Sequence, residues 1–244
     1  MYKGGSQGFL PFFLLAGRNG VRPELHRFGH SRQPVVTIDG ITGDPGAAIA
    51  IAAGLAPFPV SQTYYPGLRR IVTEADGQAF AYMCGLLEAA APFIGGGFDA
   101  DSFALVEASF SIVTAAPDAL SPAQRAPHFD SADPKLLAVL HYLSSTPDSG
   151  TAFYRQRSTG IEMVGEANRD AFVAAAKAES VDLAGYTNAS NAHFDQIGRI
   201  DAVLDRLAVY RGAMLHSGII PDGMTFSADP CQGRLTANLF IRIQ

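Results

Sequence analysis

The 244-residue chain carries 18 basic and 23 acidic side chains, a formal net charge of −5, with 48% hydrophobic and 17% charged residues. Such a composition supports a sizeable core, excludes extended disorder, and leaves no general attraction for phosphate backbones or an anionic membrane. Cys84 and Cys231 stand far apart without CxxC spacing, so neither a disulfide framework nor a zinc ribbon is indicated, and a reducing, cytoplasmic setting is expected.

The opening MYKGGSQGFLPFFLLAG joins one lysine to an apolar run from Phe9 to Ala16. A single basic residue, Pro11 inside the run and the missing A-x-A pattern argue against a secretory signal, and no stretch reads as long enough to span a membrane. PVVTIDGIT, from Pro34 to Thr42, reads as a strand. DPGAAIAIAAGLA reads as the helix after it, with Asp44 as N-cap and Pro45 at the first helical position. A second helix is expected from about Glu74 to Ala91, where Phe80, Met83, Leu86 and Leu87 make one apolar face and Pro92 lies near the end. Residues 1–100 are thus expected to support a core formed by residues 101–244, within one structural domain.

From Asp101 the pattern changes to short β-type runs: SFALVEASFSIVT, PKLLAVLHYLSS and GTAFYRQRS, then FDQIGRI, DRLAVY, GAMLHSGII and RLTANLFIRI. SADP and the STPDSG loop at Ser145 to Gly150 supply turns between them. A helix over Glu166 to Ser180 opens an insertion that runs to Asn191. Short strands with few helices predict a mainly β, double-sheet jelly roll.

The triplet HFD occurs twice, at His128 to Asp130 and at His193 to Asp195. Side chains two apart on a strand share a face, so either copy can present a histidine and a carboxylate to one metal ion. Context separates them. The first copy can meet His216, which lies in the apolar run GAMLHSGII and which a jelly roll can return to that place. The second copy starts a run of ordinary strand and is expected to be a solvent-facing pair at a strand edge. His26 and His30, four apart in ELHRFGHS, are discounted because Gly29 and the loop-like surroundings argue against a helix there. His141 is expected to be a core or sheet-surface histidine, and Arg155 and Arg157 a solvated edge.

HFD at 128 to 130, the glycine-bearing hairpin YLSSTPDSGTAFY, LHSG at 214 to 218 and GRLTANLFI occur in an order that resembles the iron(II)- and 2-oxoglutarate-dependent oxygenase superfamily, in particular its prolyl-hydroxylase-like branch. The likeness covers roughly Asp101 to Gln244 and implies a cupin-like, double-stranded β-helix core. It implies that His128, Asp130 and His216 hold iron(II), a set of two imidazoles and one carboxylate that leaves open positions. It further implies 2-oxoglutarate as co-substrate beside O2, its far carboxylate taken by the Arg234 fork with the Thr236 hydroxyl two residues on. The family also holds the co-substrate with a tyrosine shortly upstream of HxD. SPAQRAPHFD has none, and Tyr142 on the following strand is the candidate for that role. Such enzymes couple oxidative decarboxylation of 2-oxoglutarate to succinate and CO2 with substrate oxidation. A carboxylate at Asp130, where halogenating members carry a small residue, points to hydroxylation or desaturation. The expected partner is a small-molecule or peptide substrate, with no nucleic acid and no membrane, and the oligomeric state is open, a homodimer included. A cupin-like metalloenzyme that does not use 2-oxoglutarate and a non-catalytic jelly-roll binding protein are the alternatives.

Overall fold

The computed structural model describes residues 21–244, so the expectation for the Phe9 to Ala16 run lies outside the described residues. In chain order the elements are β1 (Arg22–Phe28), β2 (Gln33–Asp39), α1 (Pro45–Gly54), β3 (Gly67–Val72), α2 (Gln78–Phe98), β4 (Phe103–Val113), the short α3 (Pro122–Arg125) and β5 (Leu136–Tyr142). They continue as β6 (Gly150–Gln156), α4 (Arg169–Glu179), β7 (Phe194–Asp201), β8 (Arg206–Arg211), β9 (His216–Ile219) and β10 (Arg234–Ile243). Seven strands form one antiparallel sheet in the order β1-β2-β8-β5-β10-β4-β3, and three form a second in the order β7-β6-β9. The fold is mostly β, a double-stranded β-helix, as the run of short strands predicts.

Strand parity explains the layers. Phe110, Ile112, Leu137, Val139, Leu207, Val209, Leu235 and Leu239 share one buried cluster with α1 and α2. Their opposite-parity neighbours Ala138, Tyr142, Ala208 and Tyr210 pack instead with Phe153 and Ile200 of the smaller sheet. The central strands are therefore buried on both faces, and their sequences run apolar without clean alternation.

Within residues 21–100, β1, β2 and β3 supply three strands of the large sheet. The segment around His26 and His30 is strand and turn. β1 pairs with β2, and the turn closes through Gly29 at φ +71, where a Cβ would meet the Glu162 carboxylate at 2.1 Å. α2 runs past Pro92 to Phe98, longer than expected, with its C-cap Asp99 in the left-handed region. Proline removes one donor, but Phe93, Ile94 and Phe98 beyond it are buried in the main core and hold the last turns. Met83 and Ile94 are fully buried there, each stabilising by roughly 1.5–3 kcal/mol. At 21 residues and largely apolar, α2 does reach membrane-spanning length, contrary to the expectation that no stretch would. Its apolar face lies on the sheet, as in a core helix.

His141 is buried, with Nδ1 2.5 Å from the Tyr82 hydroxyl and Nε2 3.0 Å from Asp205 Oδ1. Asp205 also accepts from the Thr42 hydroxyl at 2.6 Å and from the amides of Thr42 and Gly43 at 3.1 and 2.8 Å. Burial alone would raise its carboxyl, but His141, Thr42 and Gly43 hold it down to about 2. A lowered carboxylate stabilises the fold above its unfolded value near 3.8, and loses that contribution as pH falls through about 2. Asp205→Asn is therefore expected to destabilise by about 2 kcal/mol at pH 7, with the gap to the parent closing below pH ~4. Denaturant titrations across that range check it; an equal gap at pH 2.5 and pH 7 would disprove the electrostatic account.

Candidate active site

The chain between α3 and β5 carries the first HFD copy alongside the start of β9. His128 and His216 form a two-residue antiparallel bridge, with N–H to O=C distances of 2.9 and 2.8 Å, and the Asp130 amide donates to the Gly212 carbonyl at 2.7 Å. This ladder keeps residues 128–130 extended, so His128 and Asp130 point one way while the Phe129 ring meets Phe172 of α4 edge-on at 5.7 Å.

One ligand atom from each of His128, Asp130 and His216 lies within 4.8 Å of the others. His216 Nε2 is 3.6 Å from Asp130 Oδ2, His128 Nε2 is 3.9 Å from Asp130 Oδ1, and the two rings stand 4.4 Å apart. The Met214 carbonyl, 2.8 Å from His216 Nδ1, can only accept. The proton therefore sits on Nδ1 and the Nε2 lone pair faces the cluster. Burial pushes His128 down to about 4, reinforced by neighbouring His216 and opposed by Asp130. Burial likewise pushes His216 to about 4 and raises Asp130 to about 6. The His128 side chain keeps 55% of its surface open and lines a cavity. Two neutral imidazoles and a carboxylate converge, with one carboxylate oxygen, Asp130 Oδ2, buried and lacking a hydrogen-bond partner among the described residues. That donor set fits a divalent cation of the kind that takes nitrogen and oxygen ligands.

The cavity has a volume of about 460 Å³ and lies between the two sheets, reaching from the cluster to Arg234. Arg234 is buried and donates from Nε to the Ser149 hydroxyl at 2.6 Å and from Nη2 to the Gly150 carbonyl at 2.8 Å. One edge of its fork is thereby fixed, and Nη1 makes no described hydrogen bond. Residues 221–233 loop out between β9 and β10 and return the chain so that Arg234 opens β10 on the cavity wall. Thr236 lines the same wall and accepts from Asn238 Nδ2 at 3.1 Å. Tyr142 is buried with its hydroxyl 2.7 Å from that of Thr151, and Thr151, not Tyr142, lines the cavity.

Three cavity residues carried no signal in the sequence. Tyr65 arrives from the loop before β3, and burial pushes its hydroxyl up to about 12 against the pull of Arg234 and Arg69. It stays protonated, a donor. The Ser111 hydroxyl and Asp130 Oδ2 are buried and lack a hydrogen-bond partner among the described residues, and both residues line this cavity together with Tyr65, whose hydroxyl is held by Thr236. Arg69 of β3 completes the wall. SQTYYPGLRR offers no spacing that singles out Tyr65 or Arg69; their place depends on β3 pairing with β4, Arg69 opposite Ser111.

The second HFD copy is arranged differently. His193 Nε2 contacts Asp182 at 3.2 Å, and Asp195 pairs with Arg155 at 3.0 Å and with Arg157. These are partly exposed ion pairs at the surface of the small sheet. Asp195→Ala is expected to cost no more than about 1 kcal/mol and to leave metal binding unaltered, which thermal melts and a ferrous-ion titration would check.

Fold and site define a double-stranded β-helix with a His–Asp–His cluster facing a cavity that ends in an arginine. Among solved structures the chain is similar to the epimerase SnoN from nogalamycin biosynthesis, in complex with Fe3+ and alpha-ketoglutarate, with TM-score 0.51 and 11% identity over 88% of this chain and 80% of that one. It is also similar to HygX from Streptomyces hygroscopicus with nickel and 2-oxoglutarate bound (TM-score 0.48, 15% identity, 87% and 84% coverage). A prolyl-4-hydroxylase from Pseudomonas putida matches at TM-score 0.45 and 14% identity, covering 88% and 95%. At such identities the likeness is one of fold. The chain belongs to the family described as a family of unknown function, DUF6445, matched over residues 19–241. No curated protein matches it.

Proposed function

We propose that the protein is an iron(II)- and 2-oxoglutarate-dependent oxygenase of the prolyl-hydroxylase-like kind. It hydroxylates an unactivated C–H of an amino-acid, peptide or other small-molecule substrate, consuming O2 and releasing succinate and CO2. The observation that supports this reading most is that one cavity joins a three-ligand cluster at one end to a half-committed buried arginine at the other. His128, Asp130 and His216 would hold the metal. Bound there, ferrous iron supplies the dioxygen chemistry that no side chain performs.

The chain's own residues would do the binding and orienting. Arg234 offers Nη1 to the far carboxylate of the co-substrate, with Thr236 and Tyr65 as hydroxyl donors beside it. Tyr142 supports Thr151 from behind. The apolar walls, Phe240, Ile220 and the Tyr210 ring 4.9 Å from His216, keep bulk water from the reacting atoms. A cytoplasmic setting, with reduced Cys84 and Cys231, belongs to the same proposal.

Anaerobic protein titrated with ferrous ion and then 2-oxoglutarate tests it. The expected result is a visible charge-transfer band that needs both additions, followed by succinate release once oxygen enters. Metal binding without any change on adding 2-oxoglutarate would favour a cupin-like metalloenzyme instead.

A further inference from the structure

The outer part of the cavity carries a second charged feature. Arg69 Nη2 and Glu107 Oε1 lie 3.1 Å apart, and Arg69 Nε donates to the Ser109 hydroxyl at 3.0 Å. The guanidinium stands 5.8 Å from the centre of the Phe240 ring. Arg69 and Glu107 both line the cavity, with side chains 15% and 41% exposed. Arg69 Nη1 and Glu107 Oε2 have no partner among the described hydrogen bonds and ion pairs. The pair therefore presents one unused cationic donor and one unused anionic acceptor side by side.

Charge balance narrows what fits. Four lining side chains are formally charged, Arg69 and Arg234 against Glu107 and Asp130, so they cancel. A dication at the cluster and a dianionic co-substrate cancel as well. A further net charge would stand uncompensated in a partly desolvated site, which is costly, whereas a molecule with adjacent opposite charges matches the wall. Register sets the reach: Glu107 pairs with Phe240, Phe240 with Ala138 and Ala138 with Tyr210 across the sheet, and the Tyr210 ring packs on His216. A group anchored on Arg69 and Glu107 lies along the row that ends at the cluster.

We propose that Arg69 and Glu107 form the specificity site for a free α-amino acid, Arg69 taking its carboxylate and Glu107 its ammonium, with the side chain directed along Phe240 toward His216. This rests on the oxygenase reading. A peptide interior lacks both charges, and a mono- or dicarboxylate lacks the ammonium.

The test uses the full chain loaded with iron(II) and 2-oxoglutarate, the twenty L-amino acids, and the methyl ester and N-acetyl derivative of each. At least one free amino acid is expected to raise succinate release tenfold or more and to gain one oxygen atom by mass. Its ester and its N-acetyl derivative should each need about 100-fold higher concentration, since a site built around two charged contacts rejects analogues lacking either. Glu107→Gln, isosteric and half-exposed, should shrink the amine-to-N-acetyl ratio below about tenfold while leaving the acid-to-ester ratio high; Arg69→Met should do the converse. A residue with a merely structural role would depress all substrates alike. The proposal is overturned if the 2-oxoglutarate band forms but no amino acid stimulates turnover, if the derivatives work as well as the acid, or if the variants leave both ratios unchanged. Absence of the band itself would instead refute the oxygenase reading beneath it.

Discussion

Asp130→Ala is expected to weaken ferrous-ion binding by about three powers of ten, on the order of the ~4 kcal/mol that separates a buried cation with its carboxylate from one without. Oxidation of 2-oxoglutarate should fall with it. The same variant should leave the metal-free protein as stable as the parent, or more stable by about 1–3 kcal/mol. Asp130 Oδ2 is buried without a hydrogen-bond partner among the described residues, and burial already raises its carboxyl to about 6. Removing an unpaired buried carboxylate relieves desolvation instead of breaking a bond. Anaerobic metal titration and calorimetry of the metal-free proteins separate two accounts. A drop of several degrees in melting temperature without metal would mean that Asp130 serves the fold, and the ligand assignment would lose its main physical support.

Arg234→Leu carries the second large effect. It should lower 2-oxoglutarate affinity by roughly 100- to 1000-fold, the scale expected when one partner of a buried, charge-assisted hydrogen bond is removed, while ferrous-ion affinity changes by less than about tenfold. Some stability should go as well, because Ser149 and the Gly150 carbonyl would be deprived of their donors at 2.6 and 2.8 Å. Arg234→Lys keeps the charge without the planar fork and should recover only part of the affinity. Unchanged 2-oxoglutarate binding in both variants would remove Arg234 from the co-substrate site.

The two HFD copies show where local reading ends. On spacing alone they are equal, since each puts a histidine and an aspartate on one face. What distinguishes them is what the fold brings opposite: His216, across a two-residue bridge, for the first, and Arg155 with Arg157 for the second. Arg155 and Arg157 lie on and just beyond β6, which pairs with β7, so the positive charge that occupies Asp195 is a consequence of sheet register. Tyr65 and Arg69 make the same point from the other side. Nothing near them in the chain marks them, and they reach the cavity because β3 closes the large sheet against β4.

By itself the chain determined the local facts: the short apolar runs that become strands, the capped start of α1 at Asp44, the amphipathic face of α2, and the common side shared by His128 and Asp130. These follow from backbone periods of two and 3.6 residues and from side chains meeting neighbours a few positions away. Only the tertiary structure decided that β1, β2 and β3 join the large sheet, that α2 continues past Pro92, that His216 meets Asp130 at 3.6 Å, and that Tyr142 stands behind the cavity while Tyr65 faces it. Those outcomes depend on contacts between residues scores of positions apart, whose free energy comes from shared burial and not from any local preference.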